Sequence, residues 1–284
     1  MDYHLIDLYH QFKDGHLDRR EFLSKLILIT GSLAAAQTLL SSIDAYTQII
    51  PEDDPRLDAE MITYPGETGE VSAYLARLKE EQSRPAVIVI HENRGLVPHI
   101  KDVTRRMALE GFLALAPDAL SPLGGTPEED MDAARSKMRE LDNKETVDNF
   151  VAAVEYLKTN PLTTGKVGCT GFCWGGGVTN QVAVHAPDLT AAVPYYGRQP
   201  DAEDVPQIKA AILAHYAGDD ERINAGIPDF EKALKEAGIE YTFHVYEGAK
   251  HAFNNDANPG RYNKEAAELA WQRTIAFFKE KLKT

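Results

Sequence analysis

Lys166-Val167-Gly168-Cys169-Thr170-Gly171-Phe172-Cys173-Trp174-Gly175 is the stretch that decides the fold. Its first five residues have the composition of a short buried strand, and the residues after Trp174 are small and apolar enough for a helix. Between them stands Gly-x-Cys-x-Gly, a reactive side chain flanked by two glycines, which is the pattern of a nucleophile elbow. Side chains at the flanking positions of so tight a strand-to-helix turn would collide with neighbouring strands. The turn lifts the Cys173 sulfur to the carboxyl end of a sheet, where open α/β sheets bind ligands. It also sets the thiol at a helix N-terminus, and that dipole is expected to lower its pKa.

Working outward, strands alternate with helices from residue 60 onward. The predicted strands are 60–64, 71–78, 86–91, 112–116, 166–170, 191–195, 211–216 and 241–246. Helical patterns fall at 99–110, 143–159, 174–186, 226–237 and 263–281. The run Ala86-Val87-Ile88-Val89-Ile90 is apolar at every position, as expected of a strand covered on both faces. The predicted class is α/β, a doubly wound and mostly parallel sheet that opens with an antiparallel pair.

Three strand ends add chemistry to the elbow. His215-Tyr216-Ala217-Gly218-Asp219-Asp220 ends one strand in an acidic turn, and Asp220 is taken as the acid. Tyr246-Glu247-Gly248-Ala249-Lys250-His251 follows the last strand, and His251 is taken as the base. The chain order nucleophile, acid, base is that of an α/β-hydrolase. An imidazole can take the proton from sulfur while a carboxylate fixes its tautomer. After strand 86–91 comes His91-Glu92-Asn93-Arg94-Gly95-Leu96, the loop expected to supply an oxyanion-hole amide. The backbone N–H groups of Asn93 and Trp174 are the two candidates. Taken singly, each motif has a plainer reading: a Gly-rich turn, a solvated acidic turn, a surface histidine, a loop carboxylate paired with Arg94. Their correct order is what carries the assignment.

Together these residues resemble the dienelactone hydrolase (carboxymethylenebutenolidase) family over residues 60–284, in the subgroup with a helical N-terminal extension. The strings HENRGL, GFCWGGG, YYGR and AWQRT carry the likeness. The resemblance implies a single α/β-hydrolase domain, a Cys173-His251-Asp220 triad, and a glutamate, Glu92, paired with the cysteine at rest. It implies no metal and no organic cofactor. The substrate would be a small ester or lactone, and a homodimer is compatible with the reading. Tyr195 or Tyr196 falls where the family places an active-site tyrosine. His91, Arg94, Tyr196, Arg198 and Phe253 are the candidates for contacting substrate.

The sequence departs from the family where a substrate carboxylate would be gripped. His91 stands where glutamine precedes the glutamate, and Phe253-Asn254-Asn255-Asp256 lacks the arginine expected beyond the histidine. Arg135 is only a loose equivalent of the second arginine, while Arg94, Arg198 or Arg261 could compensate. Without paired guanidiniums bidentate carboxylate recognition is lost, so neutral esters or lactones are the expected substrates. A thioesterase, or an inactive hydrolase fold serving as a binding module, are the competing functions.

Composition bounds the rest. A net charge of −14 argues against nucleic acid and anionic membranes. Two cysteines four residues apart exclude a disulfide framework, and no apolar run is long enough to span a bilayer. Residues 1–55 read as a helical extension and 56–284 as the catalytic domain. In the extension, Leu5, Leu8 and Phe12 keep helical spacing before Gly15. Asp18 and Glu21 form a capping box opening a helix through about residue 45, with Phe22, Leu26, Ile29, Leu33, Ala36, Leu40 and Ile43 as one seam. That reading places the protein in the cytoplasm. Arg19-Arg20-Glu21-Phe22-Leu23, an apolar stretch and Ala34-Ala35-Ala36 support the alternative, periplasmic export through a twin-arginine-like leader.

Overall fold

The structure is a computed structural model that describes residues 19–32, 50–80, 82–127 and 130–283, with the isolated positions 8, 17 and 36. Its centre is an eight-stranded sheet. The strands are β1 (Leu57–Gly66), β2 (Gly69–Leu78), β3 (Arg84–Ile90), β4 (Leu113–Pro117), β5 (Thr163–Phe172), β6 (Ala191–Tyr195), β7 (Ala211–Asp219) and β8 (Tyr241–Lys250). Their order is β1-β2-β4-β3-β5-β6-β7-β8. β1 pairs β2 and β2 pairs β4 antiparallel; every other pairing is parallel. All eight predicted strands are present. The strands β5 and β8 run beyond the predicted ends because their terminal residues keep a paired neighbour, Thr163 with Arg84, Phe172 with Tyr195 and Lys250 with Asp219.

The alternation of β3 shows why the sheet is covered on both sides. Val87 and Val89 belong to one buried cluster, and Ala86, Ile88 and Ile90 to the other. Helices α2 (Pro98–Leu109) and α8 (Lys264–Lys281) cover the first face through Ile100, Val103, Met107, Ile275 and Phe278. On the second lie α4 (Asn143–Thr159), α5 (Trp174–His185) and α7 (Ile227–Ala237), through Phe150, Val154, Val182, Phe230 and Leu234. Further α-helices among the described residues are α1 (Arg19–Thr30), α3 (Met131–Met138) and the single-turn α6 (Glu221–Asn224). From β3 the chain goes out to β4 and then returns to the far side for β5, so the winding reverses between β3 and β5. A crevice opens at such a reversal, beyond the carboxyl ends of the two strands. There Ile90 pairs with Gly171, which brings the Glu92 loop beside the Cys173 turn.

The N-terminal extension differs from expectation. Helix α1 stops at Thr30, and Gly31 follows at φ +78°, its N–H bonded to the Ile27 carbonyl. That is a glycine stop placed inside the predicted continuous helix. Phe22, Leu26 and Ala36 of the predicted seam are buried, but Ile29 is 53% exposed. Asp18 of the capping box, Gly15, and Leu5, Phe12, Leu33, Leu40 and Ile43 lie outside the described residues. No described helix is long and apolar enough to cross a membrane.

Candidate functional site

Cys173 sits between the end of β5 and the start of α5 with φ 56° and ψ −112°. A residue other than glycine is held at positive φ only where its surroundings over-determine it. Three such residues occur among those described, Cys173, Tyr196 and Ala252; Cys173 and Ala252 line the same cavity, and the Tyr196 ring lies against His251. The flanking glycines are sterically required. A Cβ on Gly171 would collide with the Gly175 carbonyl, and one on Gly175 with the carbonyl of His91. The Cys173 N–H is bonded to the Tyr195 carbonyl at 3.1 Å, which ties the turn to β6.

The sulfur faces a proton-transfer line. His251 Nε2 lies 3.0 Å from Cys173 Sγ, and His251 Nδ1 lies 2.5 Å from Asp220 Oδ2. With Nδ1–H donating to the carboxylate, the Nε2 lone pair is left to accept from the thiol. Asp220 is buried and caps α6, its Oδ1 accepting from the Ile223 N–H at 3.4 Å. Asp219 ends β7 and is exposed. The Tyr196 ring is 5.1 Å from the imidazole of His251 and 5.3 Å from the Phe253 ring. Both Tyr196 and Phe253 are fully buried, and neither lines the cavity.

Electrostatics at the sulfur correct one expectation. Burial first, and the Glu92 carboxylate second, push the Cys173 thiol up to about 11. The Trp174 N–H, Arg222 and Arg261 pull it down and lose. The helix N-terminus therefore does not yield a resting thiolate, because loss of water outweighs the dipole. Glu92 also differs from its expected resting partner: its Oε2 accepts from Asn255 Nδ2 at 2.7 Å, while the sulfur points to His251. Asn255 rides on a loop clamped by the next residue. Although burial works against it, hydrogen bonds from His99 and Arg106 hold the Asp256 carboxyl at about 2.

The cavity over Cys173 has a volume of about 570 Å³. Of the expected substrate contacts, Arg94 lines it, with Glu92, Asn93 and His251. His91 does not. It is fully buried, donates from Nδ1 to the Glu92 carbonyl at 2.6 Å, accepts at Nε2 from the Ala119 N–H at 3.1 Å, and stacks on Trp174. Burial pushes its pKa down, so it is a neutral brace for the loop. Arg198 lines a neighbouring cavity of about 450 Å³. His215 of the acidic-turn motif is buried too, bonded to Tyr246 and Thr274. Arg135, Arg222 and Arg261 also line the cavity. Arg222 escaped the sequence reading, although it follows the chosen acid by two residues. The expected scarcity of guanidinium groups is thereby corrected, since four arginines border the cavity. Among the described residues no group of three or more His, Cys, Asp or Glu is disposed to hold a metal ion.

Comparison with known proteins agrees with this architecture. The model of the dienelactone hydrolase family matches residues 71–282. A Saccharolobus solfataricus protein named "Putative carboxymethylenebutenolidase" is 34% identical over 255 residues, covering 77% of this chain and 97% of that protein. The Aquifex pyrophilus "Protein usf" is 37% identical over 232 residues, covering 78% of this chain and 99% of its own. Among solved structures, a dienelactone hydrolase from Anabaena variabilis superposes with a TM-score of 0.63 at 23% identity. It covers 80% of this chain and 100% of that one, a likeness of fold.

Proposed function

This chain belongs to the dienelactone hydrolase family and is an ester or lactone hydrolase, and from that premise we propose that it works through Cys173, His251 and Asp220 on small esters or lactones. The observation that carries the reading is the unbroken line Sγ–Nε2 at 3.0 Å and Nδ1–Oδ2 at 2.5 Å, ending in a buried carboxylate. His251 Nε2 takes the thiol proton as sulfur attacks the carbonyl carbon. Asp220 holds the Nδ1–H tautomer and stabilises the imidazolium that forms. The anionic oxygen is received by the N–H groups of Trp174 and Asn93; the first of these already donates toward Sγ.

Collapse of the intermediate breaks the bond to the leaving oxygen, which takes the proton back from His251 Nε2. An acyl thioester on Cys173 remains. His251 then deprotonates a water that attacks the thioester carbonyl, and the departing sulfur recovers the proton as the free acid is released. Glu92 stands close enough to oppose a negative sulfur, so ionisation is deferred until the proton moves to His251. A neutral resting thiol is also less open to oxidation.

Rapid-quench mass spectrometry with 4-nitrophenyl acetate tests the reading. An acetyl group is expected on the peptide containing Cys173, forming before steady state and disappearing as substrate runs out. Acetylation of another residue with full turnover would overturn it.

A further inference from the structure

The cavity over Cys173 inverts the charge of the protein around it. The chain carries a net charge of −14, yet Arg94, Arg135, Arg222 and Arg261 line this cavity and Glu92 is its one carboxylate. The four come from four segments: the loop after β3, helix α3, helix α6 and the loop before α8. Only the folded chain gathers them.

Several arginines elsewhere are neutralised within the protein, although Arg139, Arg198 and Arg273 form no ion pair among the described residues. Arg56 pairs with Asp54, Arg77 with Asp58, Arg84 with Glu80, and Arg106 with Asp102 and Asp256. In the cavity, Arg135 reaches only the exposed Asp132, at 3.6 Å. Arg94 has the Met131 sulfur at 3.5 Å from Nη1 rather than a carboxylate. Among the described residues, neither Arg222 nor Arg261 forms an ion pair. Like charges gathered in a partly desolvated space repel, and burial and then Arg135 work against the Arg94 charge. That cost is offset only when an anion arrives.

The number of charges matters. One carboxylate satisfies one guanidinium fork, and four guanidiniums against Glu92 in the cavity and Asp132 beside Arg135 leave a surplus of two. A substrate with a single negative charge would leave half of that surplus standing. Asn255 and Asn258 add neutral side chains to the same wall. Resting on the hydrolase reading above, we propose that this cavity selects esters or lactones bearing two or more negative charges, held by Arg94, Arg135, Arg222 and Arg261.

The test compares three aryl esters of one leaving group: 4-nitrophenyl acetate, mono-4-nitrophenyl glutarate and mono-4-nitrophenyl tricarballylate, which carry none, one and two charges. At low salt kcat/KM is expected to rise about tenfold with each charge and to fall toward the neutral value as salt screens the guanidiniums. Arg94→Gln and Arg261→Gln should each reduce the ratio of dianion to neutral ester; a ratio cancels any effect common to both substrates. Calorimetric titration of Cys173→Ala protein with tricarballylate, phosphonoacetate and propionate reads binding without chemistry. Binding graded by charge supports the proposal, and the first two ligands separate carboxylate from phosphonate preference. A dianion no better than the monoanion, or tricarballylate binding no tighter than propionate, would overturn it. Charge-graded binding with no hydrolysis of any ester would instead overturn the hydrolase reading and leave the anion site standing.

Discussion

Cys173, His251 and Asp220, and the four arginines of the cavity, are brought together by different routes. The first three leave the carboxyl ends of β5, β8 and β7, whose registers are fixed by backbone pairing deep in the sheet. A strand end has little freedom, so one position in the turn determines where its side chain stands. The arginines sit on loops and short helices that the sheet only indirectly positions. Arg94 follows β3 by four residues, Arg135 rides on an eight-residue helix, and Arg222 lies within a single helical turn. On the proposed reading, reaction chemistry is set by topology and selectivity by the connections, so away from Asp220 the two can change independently.

The sharpest way to break this division is at the sulfur. Cys173→Ala should lower turnover by at least about 10³-fold with the fold retained. Cys169→Ala, four residues earlier within β5 and fully buried, should leave turnover within about twofold and cost roughly 1 kcal/mol of stability. Near-normal hydrolysis by the first variant, or its loss in the second, would erase the contrast. Next in size, Asp220→Asn should reduce kcat by about 10²–10⁴-fold, measured with the neutral ester so that the arginines play little part. A loss confined to KM would place Asp220 with the selectivity residues instead.

The third way is through protons. A thiol raised to about 11 is almost wholly neutral at pH 7. Iodoacetamide labelling of Cys173 should therefore be slow there and accelerate about tenfold per pH unit until the thiol has ionised. Glu92→Gln removes the carboxylate that helps raise the thiol, so the curve should move toward lower pH. The sign for stability follows. The folded state disfavours thiolate relative to the unfolded chain, so this contribution is complete below the ordinary thiol range and is lost as pH rises through about 11. Fast labelling at neutral pH with an unshifted curve in Glu92→Gln would contradict the assignment.

The smallest effects concern the turn itself. Gly175→Ala drives a Cβ into the His91 backbone and should cost about 2–4 kcal/mol, read from thermal unfolding. Gly177→Ala, whose Cβ would find its nearest neighbour at 3.5 Å, should be neutral or stabilise α5 by up to about 1 kcal/mol.

How much of this was legible in the sequence follows the same division. That Cys173, the Asp219-Asp220 turn and His251 come together could be read from strand order, because apolar strands announce themselves and these residues follow them in a fixed order; that Asp220 rather than the exposed Asp219 meets His251 is visible only in the fold. Helix α3 could not. It buries only Ala134, is capped by Asp130, and shows no apolar periodicity, so Arg135 had no element to sit on. The direction of the arginines was equally hidden: Arg198 and Arg222 both border the neighbouring cavity, and Arg222 alone of the two also borders the first. In the extension, apolar spacing carried the eye past Gly31, whose backbone ends the helix regardless of that spacing. His91, Tyr196 and Phe253 were expected to contact substrate, yet all three are buried and none lines the cavity, since burial is decided by partners distant in sequence.

Asp220 joins the two halves in a single carboxyl group. One oxygen meets His251 and the other caps the turn that presents Arg222, while Asn224 of that turn is anchored to the Ala217 carbonyl at 2.7 Å. For anyone redesigning the scaffold, this residue is a shared fastening, and the parts it fastens are not interchangeable modules. Moving the acid to a neighbouring strand could preserve the proton relay and still unfasten the turn, leaving a catalyst that runs but no longer discriminates. The converse exchange, serine in place of the aspartate, keeps a cap for the turn and surrenders the relay. A scaffold can be tuned freely at Arg94 or Arg135, but at this corner rate and choice must be inherited together.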